Sequence, residues 1–302
     1  MSSDDLQKFK LAAEAETIVS NIPTRFFEDP YELQTGKPAD AALGLEHRMA
    51  VSNIDFHQNI SKGLEAIESE INQLSEMAND GKELLEMLRY ILHEETSEKE
   101  YVNGIRDKGR GRVDLSYFLM HSKAQEAHLI KPEVVSLRLY TTVAYKYMND
   151  PLRDSRRHVE GRPCLLPITT YFAAQGIKKL RGLHAESESK FVLWRGMRQV
   201  KVADDFLRNG GTELAFMSAT KDLNIAVRYS LSQHSLLFKI TPSDFMSVGA
   251  DLQWLSVFPD ESEILYPPLT YMRPTGKADK ITVARGGLML SFTVIEVVPS
   301  IS

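Results

Sequence analysis

Only one cysteine, Cys164, occurs in the 302 residues, which excludes an intramolecular disulfide and makes a reducing compartment the natural expectation. In Pro163-Cys164-Leu165-Leu166 the thiol reads as apolar packing, not as a nucleophile. No apolar run approaches the roughly 20 residues needed to span a bilayer, so a membrane partner is not expected. The eight histidines are scattered without paired ligand spacing, and no metal requirement is predicted. Basic surplus is also missing. With 36 Lys and Arg against 41 Asp and Glu, the formal charge is -5, which argues against a general affinity for nucleic acid phosphates. The opening Met1-Ser2-Ser3-Asp4-Asp5-Leu6 lacks the basic and apolar regions of a secretory signal. The expected location is cytoplasmic; a bacterial effector with this start would reach a host cytosol by a route that needs no such signal.

Against this plain background three short stretches stand out. The first is Phe191-Val192-Leu193-Trp194-Arg195-Gly196, an apolar run that reads as a mostly buried strand closed by a charge. A guanidinium is a rigid, permanently charged fork suited to a diphosphate, and Gly196 removes a side chain that would keep a ligand off the backbone. The second is Leu214-Ala215-Phe216-Met217-Ser218-Ala219-Thr220. Here Ser218 ends an apolar approach, and Thr220 is placed to cap a helix beginning near Leu223. The third is Phe258-Pro259-Asp260-Glu261-Ser262-Glu263-Ile264-Leu265-Tyr266-Pro267-Pro268. In an extended strand residues i and i+2 share a face, so Glu261 and Glu263 are expected side by side, roughly 7 Å apart. One carboxylate can then serve an electrophile and the other a nucleophile, as carboxylates flank the reacting carbon in glycoside cleavage. The set suits a dinucleotide and a sugar cation, without a Rossmann fingerprint.

In this order the three stretches resemble the R-S-E class of mono-ADP-ribosyltransferases, which use NAD to modify a protein side chain. By that resemblance Arg195 binds NAD, Ser218 opens the Ser-Thr-Ser motif, Glu263 is the catalytic glutamate on the nicotinamide ribose, and Glu261 positions or activates the acceptor. Gly196 and Thr220 are assigned to the cofactor site with them. The resemblance extends to Leu139-Tyr140-Thr141 through Tyr147, Asn149 and Leu152-Arg153, and to Ala226-Val227-Arg228-Tyr229-Ser230 with Ser235 to Ile240. It covers roughly residues 130 to 300. The motif departs from the family form as Ser218-Ala219-Thr220, which keeps the first hydroxyl and predicts a tuned site. The E-x-E form favours arginine as acceptor. A threonine or serine hydroxyl on a host protein such as ubiquitin is the alternative.

The first third of the chain has another texture. Ile60, Leu64, Ile67, Ile71 and Leu74 recur at steps of four and three, marking one face of an amphipathic helix. Asn79-Asp80-Gly81 supplies a turn, and Leu84, Leu85, Leu88, Ile91 and Leu92 stripe a second helix. A helical hairpin is expected, whose first-choice role is to pack on the catalytic domain, with recognition of a partner or cover for the active site as the alternatives, while residues 1 to 45 carry little periodic pattern and read as partly disordered. Lys108-Gly109-Arg110-Gly111-Arg112 lacks P-loop spacing and reads as a solvated linker to a helix from Asp114. Beyond Arg195 the segments Ser235–Ile240, Glu263–Tyr266 and Leu288–Val298 favour strands.

Helices first and strands later predict an α+β architecture: a helical region over 1–128 and a catalytic domain over 129–302, with two packed sheets forming the NAD cleft by family resemblance. Pro267-Pro268 should stiffen the exit from the last glutamate's strand. Two competing functions remain at this level. An NAD glycohydrolase would use water as acceptor but has no need of Glu261. A catalytically silent binding module would leave Arg195, Ser218 and Glu263 unexplained.

Overall fold

A computed structural model of the chain describes residues 24–25, 44–51, 53–77, 81–92, 106–110, 113–183, 191–202, 205–232, 234–285 and 288–301. Most of the segment expected to be disordered, and most of the Asn79-Asp80-Gly81 turn, lie outside them.

The helical half contains α1 (Gly44–Arg48), α2 (Ile54–Lys62), α3 (Leu64–Met77), α4 (Gly81–Leu92), α5 (Leu115–Leu119), α6 (Ser122–Glu126), α7 (Lys131–Tyr140), α8 (Ala144–Arg153), α9 (Ser155–Val159) and α10 (Pro167–Arg181). The predicted stripe from Ile60 to Leu74 is shared by two helices, not one. Gly63 adopts φ 60° and donates its N–H to Ile60 O, a left-handed stop that glycine takes without steric cost. Side chains then choose the starts: Asn53 accepts from Phe56 N at 2.7 Å, and Asp114 caps α5 through Tyr117 N at 3.2 Å. A distant carboxylate caps α10. Glu70 of α3 accepts from Ile168 N at 2.6 Å and from Thr169 N at 3.0 Å.

These helices and one edge of the sheet share a core. Ile67, Ile71, Leu84, Leu137 and Ile177 are fully buried in the same cluster as Phe216, Leu252 and Leu265. The expected hairpin therefore packs rather than projects, and α3 rests on α4, with α7 against both and α10 against α3 and α7. Cys164 lies in this core, its thiol pushed up to about 12 by burial, so it carries no thiolate near neutrality.

The second half holds β2 (Leu193–Arg198), β3 (Lys201–Val202), α11 (Phe206–Asn209), β4 (Gly211–Glu213), β5 (Met217–Thr220), α12 (Leu223–Ser230), β6 (His234–Ile240), β7 (Ala250–Asp251), β8 (Glu263–Tyr266), β9 (Thr270–Arg285) and β10 (Leu288–Ser300). The short β1 (Thr24–Arg25) pairs only with β3. The other strands run in the order β4-β9-β10-β6-β2-β5-β8-β7. All neighbours are antiparallel except β10 and β6. A single registered pair, Trp194 with Thr220, joins β2 to β5. The sheet thus consists of a five-strand part and a three-strand part meeting at one point, and the α+β expectation holds in that form.

The three predicted strands are present, but the longest, β9, was not foreseen. Its Pro274, Gly276 and run of charges hide it, and it exists because it pairs along nearly its whole length with β10. As expected, Pro267-Pro268 closes β8, and Thr270 Oγ1 donates to Pro267 O at 2.7 Å in the turn that follows.

Candidate active site

β2, β5 and β8 lie side by side at the point where the two parts of the sheet meet. Arg195, Ser218 and Glu263 stand on these three strands, one each. Contrary to expectation, Arg195 and Ser218 do not end their strands. Arg195 is the third residue of β2, with its side chain 12% exposed. Its Nη1 donates to Ser218 O at 2.7 Å, tying β2 to β5 just beyond their only backbone pair. Nη2 lies 3.9 Å from the buried carboxylate of Glu213, and Nε is buried without a partner. Burial pulls this guanidinium below its ordinary value and Glu213 opposes that pull. It remains a cation.

The sequence reading missed Glu213. It receives Arg153 Nε at 2.9 Å and lies within ion-pair reach of Arg195, so two guanidiniums flank one carboxylate. α8 delivers Arg153, and the same helix brings Asn149, whose side chain accepts from Phe216 N at 3.1 Å and donates to Tyr140 Oη at 3.2 Å. The family-like segment from Leu139 to Arg153 therefore buttresses the strand that carries Ser218. Nothing in the local sequence marks Glu213; only the meeting of α8 with β4 gives it partners.

Glu263 opens β8 and is buried, at 6% exposure. Burial pushes its carboxyl up to about 7. The Ser218 hydroxyl hydrogen-bonds to it and pulls the other way, Glu261 raises it further and Arg195 lowers it. Ser218 is thus a direct hydrogen-bond partner of Glu263.

Two details of the third stretch differ from expectation. Glu261 is not extended. It ends a 3-10 turn over Pro259–Glu261, and Ser262 takes φ 46° before the strand begins at Glu263. The two carboxylates meet across a corner instead of along one strand face, yet the charge of Glu261 still reaches Glu263. The corner is held from both ends. Thr220 Oγ1 donates to Glu261 O at 2.8 Å, and the Tyr229 hydroxyl donates to Glu261 Oε1. Burial and that hydrogen bond both drive the phenol upward, so it stays a donor.

Thr220 is consequently not the helix cap. It accepts from Asp222 N at 3.1 Å, and Asp222 caps α12 through Asn224 N at 2.8 Å. Gly196 also has a different purpose. A Cβ there would lie 1.8 Å from Ala226 O and 2.7 Å from Ala226 C, so the missing side chain makes room for α12 against β2. The close fit sets where α12 lies, and α12 brings Tyr229 to Glu261.

Among the described residues no three His, Cys, Asp or Glu side chains gather as a metal site, and no helix is long and apolar enough to cross a membrane. Arg195 has an unmatched buried donor, and Glu263 is a carboxylate in a dry setting that lacks a cation of its own. A positively charged group arriving there would favour its ionised form.

No protein-family model matches the chain, and no curated protein does. Solved structures similar to it include three ADP-ribosylating proteins. One is the ADP-ribosyltransferase HopU1 of Pseudomonas syringae pv. tomato DC3000, at 16% identity over 72% of this chain and 97% of that one, with a TM-score of 0.42. Another is the eukaryotic mono-ADP-ribosyltransferase ART2.2, at 14% identity over 80% and 87%, with a TM-score of 0.45. The enzymatic component C2-I of the C2 toxin from Clostridium botulinum matches at 16% identity over 64% and 49%, with a TM-score of 0.40. At TM-scores below 0.5 these likenesses add no weight of their own, and function has to be read from the site.

Proposed function

We propose that the protein is a mono-ADP-ribosyltransferase that takes ADP-ribose from NAD to a protein side chain, with arginine as the first-choice acceptor. The observation that carries this reading is Glu263: a buried carboxylate, raised to about 7 by burial, hydrogen-bonded by Ser218 and within reach of Arg195 and Glu261. Such a group is poised to stabilise positive charge that develops beside it. Residues 129–302 carry the chemistry, and the described helices that precede them brace it.

In this reading Arg195 holds the diphosphate of NAD, while Arg153 and Glu213 keep that guanidinium in place. The bond from the nicotinamide nitrogen to ribose C1′ breaks, its electron pair leaves with nicotinamide, and Glu263 faces the charge that grows on the sugar. A lone pair of the acceptor nitrogen forms the new bond to C1′, and its proton passes to Glu261. The left-handed corner at Ser262 keeps the two carboxylates in separate roles.

The test is incubation of wild type and Glu263→Gln with labelled NAD, with and without a cell lysate, following free nicotinamide and label on protein together. Label on a discrete lysate band, absent from the variant, supports transfer, and mapping the modified residue decides between arginine and a threonine or serine hydroxyl, as on ubiquitin. Nicotinamide without protein label favours a glycohydrolase. Silence in both assays favours a binding module.

A further inference from the structure

The basic loop expected to be a solvated linker is instead anchored to the segment that precedes Glu261. Gly111 and Arg112 lie outside the described residues, but Asp107, Lys108 and Arg110 all engage the segment from Asp251 to Asp260, which ends one residue before Glu261. Asp107 N donates to Val257 O at 2.8 Å. Arg110 donates through Nη1 to Ser256 O and through Nη2 to Gln253 O. Lys108 pairs with Asp260, and Lys123 of α6 pairs with Asp251 at 2.8 Å. From the other side, Arg138 Nη1 donates to Leu255 O at 2.7 Å, and Thr141 Oγ1 accepts from Val257 N at 3.0 Å.

A hub makes this clamp stiff. The buried Asp107 carboxylate receives Arg138 Nη2 at 2.9 Å, Arg110 Nη1 at 2.8 Å and the Tyr90 hydroxyl at 2.7 Å. Arg138 is fully buried with its guanidinium 3.8 Å over the Phe118 ring. Backbone carbonyls of an irregular segment need partners when water is excluded. Here guanidiniums from sequence positions more than 100 residues away supply three of them.

We propose that Arg110, oriented by Asp107, is a positioning residue for the acceptor glutamate: the helical region clamps residues 251–260 so that Glu261 is presented in one geometry for transfer. This rests on the transferase reading given above. Arg110 touches no part of the NAD-binding set, so its loss should separate transfer from cleavage.

The experiment compares wild type, Arg110→Ala and Arg110→Lys with labelled NAD and lysate, alongside thermal melts and backbone hydrogen exchange over residues 251–260. Arg110→Ala should lower protein labelling at least about tenfold, as expected when a reacting group is displaced by about an ångström. Nicotinamide release into water and KM for NAD should stay near wild type, and exchange should rise within 251–260. Arg110→Lys keeps the charge but loses the two-pronged grip, and should recover part of the transfer. Equal loss of transfer and hydrolysis, loss that tracks the melting temperature, or unchanged transfer would each overturn the proposal. A wild type that neither cleaves NAD nor labels protein overturns the transferase reading itself, and is told apart because it appears before any variant is compared.

Discussion

Two buried charge clusters lie on either side of the segment that carries Glu261, and they are built differently. Around Asp107 the carboxylate takes bonds from Arg138, Arg110 and Tyr90. Burial alone would raise it, but those partners outweigh burial and hold it below the usual carboxylate range. Around Arg195 the guanidiniums are served by Glu213 and by the Ser218 and Phe216 carbonyls. Glu263 beside them receives a serine hydroxyl, and burial leaves it near 7. In the first cluster the carboxylate is satisfied by its three donors, although Arg138 Nε has no partner. The second keeps a carboxylate with an unmet electrostatic demand, which is where a cationic substrate gains most.

The contrast breaks most sharply at Glu263. Glu263→Gln keeps the shape and removes the charge, and should cut nicotinamide release and protein labelling by at least about 100-fold, the scale for losing a group that stabilises developing charge. Asp107→Asn should do the opposite. Leaving Arg138 buried with a weakened partner should lower unfolding free energy by about 3 kcal/mol, read as a shifted denaturant midpoint, while folded protein still binds NAD.

Gly196→Ala tests the frame between the clusters. With Ala226 O only 1.8 Å from the added carbon, α12 must shift, at about 1–3 kcal/mol of stability and with weakened transfer through Tyr229.

The pH dependence of stability should separate the clusters as two wings. Glu263 has a folded value of about 7 against an ordinary 4.5, so the folded state binds the extra proton. Its contribution is present below 4.5 and is lost as pH rises through 7. Asp107 is lowered, so its contribution is present above 3.8 and is lost as pH falls through its folded value. Glu263→Gln should flatten the near-neutral wing in urea titrations at stepped pH. Part of that wing should survive, because Glu70 is also raised to about 7 by burial and acts in the same window. The smallest effect belongs to Tyr229→Phe. Losing one hydrogen bond to Glu261, worth about 1 kcal/mol, should lower transfer several-fold, with hydrolysis of NAD unchanged.

What could be read from the chain alone follows the range of the forces involved. The striping at Leu84, Leu88 and Ile91, the cap at Asp114 and the apolar run before Arg195 are set by neighbours a few residues away, so the sequence by itself determined those elements and the residue types of the site. That Arg195, Ser218 and Glu263 stand on three neighbouring strands is the work of the sheet. Nor did the sequence determine how those residues are held. Glu213 has meaning only where α8 meets β4, Gly196 only where α12 lies on β2, and β9 only against β10. The corner at Ser262, the capping of α12 by Asp222 instead of Thr220 and the anchoring of Lys108 and Arg110 were likewise decided by tertiary structure. Each depends on a partner distant in sequence or on the exact geometry of a turn, and burial makes those contacts decisive because a polar group removed from water must find its partner wherever the fold supplies one.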